Sequence, residues 1–166
     1  KKVCNRDFLI VFTDYRELVG DIKRSISLNF FIKRLLLWPF LFKQKISSCL
    51  LKKAIISFGS PIPCPSVMYH KDRIGSFEFS KEFSCNMDWD TWLRLAQMKG
   101  SFIYIKKKLM LHRLHKDSQT SLQIENKVRK LEERLIFERI WPKFLAKNLS
   151  EIYTFAFKSN TNNIKE

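Results

Sequence analysis

Glycine is scarce in this 166-residue chain, at four residues, and none of them stands in a G-x-G-x-x-G, G-x-x-x-x-G-K-[ST] or G-x-S-x-G pattern. Those patterns bring a backbone close to a phosphate or lift a nucleophile onto a tight turn. Their absence argues against dinucleotide enzymes, P-loop kinases and α/β-hydrolases, and the lack of an H-E-x-x-H pair argues against zinc proteases. The four cysteines, Cys4, Cys49, Cys64 and Cys85, are widely separated with no C-x-x-C pair. Neither a zinc site nor a disulfide framework is indicated, and reduced, cytosolic thiols are the plain reading. Long apolar runs are missing too. The longest uncharged stretch between Leu28 and Phe58 is Leu35 to Phe42, eight residues, against the ~20 that span a bilayer.

Acidic residues are few and unevenly placed. Lys and Arg total 31 against 16 Asp and Glu, a net charge of +15. From Ile22 to Lys71 there is no acid, while Lys23, Arg24, Lys33, Arg34, Lys43, Lys45, Lys52, Lys53 and Lys71 supply nine cations. A second acid-free stretch, Leu95 to Lys116, adds Lys99, Lys106, Lys107, Lys108, Arg113 and Lys116. Such density favours an anionic partner, whether nucleotide phosphates, acidic lipid headgroups or nucleic acid. No nucleic-acid-binding motif accompanies the charge, which leaves nucleic acid the least favoured of the three.

What is present suits one domain: 45% hydrophobic and 14% aromatic residues in a chain of this length bury a real core. The chain begins at Lys1 and enters almost at once into Phe8-Leu-Ile-Val-Phe12, which predicts a buried strand and reads as a truncated start. Between Leu28 and Phe58 the pattern is that of a basic amphipathic helical insertion, with Pro39 placed to kink or end its first helix. Two arrangements fit it: a helical pair packed on the sheet with its lysines in solvent, or a helix lying on anionic lipid.

Gly59-Ser-Pro-Ile-Pro-Cys-Pro65 predicts an extended loop, Ser66 to Tyr69 a short strand, and Lys71-Asp72 with Gly75 a turn. Trp89, Trp92, Leu93 and Ala96 fall at i, i+3, i+4 and i+7. That spacing predicts a helix from Asp88 to Lys99, capped by Asp88 and terminated by Gly100. Phe102 to Ile105 and Leu109 to His112 read as two strands joined through Lys106-Lys107-Lys108. Ile124, Val128, Leu131, Leu135 and Ile140 mark a long amphipathic helix ending near Trp141-Pro142, and residues 159–166 read as a flexible tail.

Four short motifs follow one another: Ser66-Val-Met-Tyr-His-Lys71, Ile74-Gly-Ser-Phe77, Met87-Asp-Trp-Asp-Thr-Trp-Leu-Arg-Leu95 and His112-Arg-Leu-His115. In that order, between Gly59 and Thr120, they resemble the second half of bacterial family 2 glycosyltransferases of the GT-A fold. The resemblance implies an α/β fold: a partial GT-A domain over 1–158, with a mixed sheet flanked by helices and the N-terminal nucleotide-binding half missing. Two departures stand out. No D-x-D ends a strand, since Asp88-Trp-Asp90 sits at a helix start, and Met87 replaces the Glu that the family often carries there.

The chemistry implied is an inverting transfer from a nucleotide-sugar donor to a glycan or lipid-linked acceptor in cell-surface polysaccharide synthesis. The resemblance implies a cytoplasmic location, either free or peripheral at the inner face of the membrane. By motif position Asp88 is the general base, the alternative being a simple helix cap. His115 matches a histidine that contacts metal or diphosphate, the alternative being a surface histidine in a basic turn. Arg113 is placed to pair with phosphate or to make a structural ion pair. Trp89 and Trp92 either stack on a sugar or belong to the core. His112 is expected to pack, and Asp90 to favour the helix dipole without a functional role. The cofactor implied is Mn2+ or Mg2+, held mainly by the missing half, so the 166-residue chain alone is expected to transfer little or no sugar.

Overall fold

The computed structural model describes residues 7–19, 22–23, 28–114 and 128–162, with side chains excepted at 19, 22–23, 28–30, 114 and 156–162. Its centre is a pair of long parallel strands, β1 (Phe8–Val19) and β5 (Ser101–Leu114). Two-residue strands complete a mixed sheet. β2 (Ile22–Lys23) and β4 (Met68–Tyr69) lie antiparallel to β1, and β3 (Lys45–Ile46) lies antiparallel to β5. Leu9, Ile10, Val11 and Phe12 are all buried. That explains the unbroken apolar run, since a strand with neighbours on both edges and covered faces has no polar side.

Helices flank the sheet, so the α/β class read from the sequence holds. In chain order they are α1 (Leu28–Leu36), α2 (Pro39–Phe42), α3 (Cys49–Ile56), α4 (Lys71–Ile74), α5 (Met87–Gln97), α6 (Val128–Ile140) and α7 (Lys143–Asn162). A 3-10 turn, Cys64–Ser66, precedes β4. Ile55 and Ile56 of α3, Trp89 and Trp92 of α5 and Phe137 of α6 share one cluster with Phe12 and Phe102 of the sheet. No helix among the described residues is long and apolar enough to cross a membrane.

Three local expectations change. The two strands expected on either side of Lys106-Lys107-Lys108 are one continuous strand. The register passes from Thr13↔Ile105 to Asp14↔Lys108 to Tyr15↔Met110, so bulges at Lys106-Lys107 and Leu109 absorb the lysines without ending the strand. After Pro142 the chain forms a further helix, α7, which packs on α6 and runs to Asn162, inside the segment read as a tail. The rest of that tail, 163–166, lies outside the described residues.

Gly100 is not the helix terminator. α5 already ends at Gln97, and Gly100 instead turns the chain into β5 at φ +133°, where a Cβ would sit 2.8 Å from Leu9 Cγ. A positive φ and a buried neighbour exclude any other residue at low cost. Gly100→Ala is therefore expected to lower stability by about 1–3 kcal/mol, read as a reduced urea midpoint with an unchanged m-value.

Candidate functional site

The site is built on α5, whose two ends are gripped by charged side chains from other helices. At the start, the Glu132 carboxylate of α6 accepts hydrogen bonds from the backbone N–H groups of Ser84 at 2.7 Å, Cys85 at 2.9 Å and Asn86 at 2.9 Å. It also accepts one from the Ser84 hydroxyl at 2.9 Å. At the far end, the fully buried Lys52 of α3 donates from Nζ to the carbonyls of Met98 at 2.7 Å and Gly100 at 2.8 Å. Negative charge at the N-terminus and positive charge at the C-terminus also suit the helix dipole.

Burial alone would raise the Glu132 pKa. The hydrogen bonds from the Ser84, Cys85 and Asn86 amides outweigh it and hold the carboxyl below its ordinary value. Burial pulls the Lys52 amine below its ordinary value.

Asp88 lies in the first turn of α5 but does not cap it. The residue before the helix is Asn86, whose side chain makes no cap hydrogen bond, and Asp88 Oδ1 accepts from the Trp89 N–H at 2.7 Å. Its carboxyl is pushed up by burial, against the opposing effects of that hydrogen bond and of the Lys33 and Arg129 charges. The Asp88 charge is felt in turn by groups from four other parts of the fold: Lys33 of α1, Cys64 of the 3-10 turn, Tyr69 of β4 and Tyr153 of α7. Burial lowers Lys33 and raises the thiol of Cys64 and the hydroxyls of Tyr69 and Tyr153. A carboxylate with a raised pKa and two cations nearby can take up a proton and still tolerate an anion beside it.

Asp90 behaves differently. Residues two apart on a helix do not face each other, and Asp90 is buried, held by Arg94 Nε at 2.8 Å and by Arg139 at 2.6 Å. Arg139 also pairs with Glu82 at 2.5 Å. Asp90, Arg94 and Arg139, with Lys53, Ser57 and Gln97, line a cleft of about 240 Å3. The dipole role read from the sequence understates Asp90, which ties α5 to α6. Asp88 and Asp90 diverge, so Asp88-Trp-Asp90 is not a paired metal ligand.

Trp89 and Trp92 have no exposed surface. Trp89 Nε1 donates to the Ile56 carbonyl at 2.9 Å, and its ring packs against Phe137 and Tyr153. Trp92 stacks on Tyr69 with ring centroids 6.0 Å apart. Neither offers a face to a sugar, so the stacking role is replaced by a core role. Arg113 is exposed near the end of β5, in register with Leu18, and His112 is exposed with its ring edge-on to Tyr15 at 6.0 Å. His115 lies outside the described residues. Among the described residues no group of three His, Cys, Asp or Glu side chains is placed to hold a metal ion. The Asp88 surroundings do not suit one either, because Lys33 and Arg129 repel a divalent cation.

Sequence reading missed Lys33 and Arg129. Lys33 looked like one more lysine of a basic face, and Arg129 was not singled out; in the fold it also pairs with Glu133 at 2.8 Å. Nothing in the spacing signals that α1 and α6 converge on α5.

Glu132→Gln is expected to cost roughly 3 kcal/mol at neutral pH, since hydrogen bonds to a charged group are lost. With the folded pKa lowered, the stabilisation is present above the ordinary 4.5 and disappears as pH falls through the folded value. Wild type and variant should therefore converge in acid when urea midpoints are compared. For Asp88 the sign is opposite. Its folded pKa is raised, so its ionisation weakens the fold as pH climbs through that value. NMR titration of the side-chain carboxyl should give a midpoint above 3.8, displaced further upward in Lys33→Met. No family model, curated protein or solved structure matches the chain.

Proposed function

We propose that the chain is the acceptor-side part of an inverting family 2 type glycosyltransferase, with Asp88 as general base. The supporting observation is the state of Asp88. It is a partly buried carboxylate with a raised pKa, on a helix held at both ends, at the position where the motif order puts the base. An ordinary aspartate is a weak base at neutral pH, and burial moves it toward the useful range.

In this reading the Asp88 carboxylate accepts the proton of an acceptor hydroxyl on a glycan or lipid-linked sugar. That oxygen attacks the anomeric carbon of a nucleotide sugar. The bond from that carbon to the diphosphate breaks, the diphosphate leaves with the electron pair, and the configuration inverts. One carboxylate suffices, unlike the pair used by most glycosidases. Lys33 and Arg129 limit the rise of the Asp88 pKa, so that the ionised form remains available. Donor and divalent ion are assigned to residues outside those described, His115 among the candidates, and the step above depends on neither position.

The test uses the polypeptide encoded by the complete gene, assayed with Mn2+ and a panel of nucleotide sugars. Asp88→Asn should lower kcat by about 10²–10⁴-fold while leaving donor KM near wild type. An Asp88→Asn enzyme that keeps its rate, or an acid limb of the pH–rate profile that does not move in Lys33→Met, would defeat the assignment.

A further inference from the structure

The α1–α2 segment carries an apolar stripe that the core does not use. Leu37 and Phe40 point inward, whereas Phe31, Leu35, Trp38, Leu41 and Phe42 are 60%, 61%, 49%, 68% and 81% exposed. Steps of three and four residues put these five side chains on one helical face. The backbone keeps its helical course across Pro39, through bonds from Leu37 N–H to the Arg34 carbonyl at 3.1 Å, Trp38 to Leu35 at 3.0 Å, Phe40 to Leu37 at 2.9 Å and Leu41 to Trp38 at 2.9 Å.

Strand β5 runs beside the end of this stripe. Tyr104 N–H donates to the Gln44 carbonyl at 2.9 Å, and Lys106 Nζ donates to the Leu41 carbonyl at 3.0 Å. The bulge at Lys106-Lys107 therefore lies against the apolar tip, and Lys43, Lys107 and Lys108 beside it are exposed. Neither contributing segment, Phe31 to Ile46 or Ser101 to Arg113, contains an acidic residue. The two basic residues of α1 are not part of this ring: Lys33 feels Asp88, and Arg34 pairs with Asp14 at 3.2 Å.

We infer that this face docks on the surface of an anionic lipid bilayer. Trp38, Leu41 and Phe42 enter the boundary between headgroups and acyl chains, and Lys43 and Lys106 to Lys108 meet the lipid phosphates. Charge complementarity selects an anionic partner. The exposed leucines and phenylalanines beside the charge select lipid over nucleic acid, because an apolar stripe gains from an acyl boundary and gains nothing from a phosphate backbone. The inference does not depend on the role of Asp88.

Co-sedimentation of the purified chain with phosphatidylcholine vesicles, with and without phosphatidylglycerol, tests this directly. Binding should require phosphatidylglycerol and weaken as salt rises. It should fall about a hundredfold in the triple variant Lys43→Gln, Lys107→Gln, Lys108→Gln, and about tenfold or more in Leu41→Ser, Phe42→Ser. Lys53→Gln, in the cleft beside Asp90, should bind as wild type, and circular dichroism should be the same for all variants. The inference is overturned if the chain ignores phosphatidylglycerol, if Lys53→Gln weakens binding as much as each ring lysine, or if Leu41→Ser, Phe42→Ser leaves binding intact. It is also overturned if the chain self-associates through this face without lipid, or if an RNA oligonucleotide binds more tightly than the vesicles and does so unaffected by the leucine and phenylalanine changes.

Discussion

The grip on the two ends of α5 is the constraint on which the rest of the structure depends. Glu132 collects three backbone amides just before the helix, and Lys52 collects two carbonyls just after it. Groups of this kind left unpaired inside a protein are costly, and a charged partner satisfies several at once. Because Glu132 comes from α6 and Lys52 from α3, the same bonds that finish α5 also fix it between its neighbours. The contacts span 46 to 48 residues in the chain, so α5 is oriented by tertiary structure more than by its own propensity.

Fixing α5 divides its two aspartates between different tasks. Asp90 is turned into the α5–α6 contact and given two arginines, which makes it a structural anchor. Asp88 is turned toward α1, β4 and α7, where burial raises its pKa and the nearby cations only partly offset the effect. The placement of Trp89 and Trp92 follows from the same rotation. With Asp88 and Asp90 so directed, both indoles fall on the face covered by the core, and Trp89 locks α5 to α3 through the Ile56 carbonyl. A carboxylate whose pKa is raised by burial, with charged partners nearby, is the kind of group that marks a functional site.

The lysines show how sequence and structure divide the description. As a sequence, the acid-free stretch from Ile22 to Lys71 is a single basic region. In the fold its members separate. Lys33 feels the Asp88 charge, Arg34 pairs with Asp14, Lys52 is enclosed as a helix clamp, Lys45 pairs with Asp7 at 3.6 Å, and Lys43 remains at the surface beside an apolar tip. Composition measures how much charge a chain carries. Only packing determines which of it is left for a partner.

By itself the sequence determined the α/β class, the buried strand from Phe8 to Phe12, the helix over Trp89 to Ala96 and the end of α1 just ahead of Pro39, and it picked out Asp88 as a candidate. Each is a local matter, set by periodicity, by proline geometry or by a short motif within one segment. It did not reveal that Lys106 to Lys108 sit in a bulge of one strand, because a bulge depends on the neighbouring strand's register. Nor did it reveal α7, which forms beyond Trp141-Pro142 and packs against α6. The surroundings of Asp88 were decided only in three dimensions. Burial, Lys33 and Arg129 come from elements far apart in the chain, and electrostatic environment depends on distance in space, which no spacing along a sequence encodes.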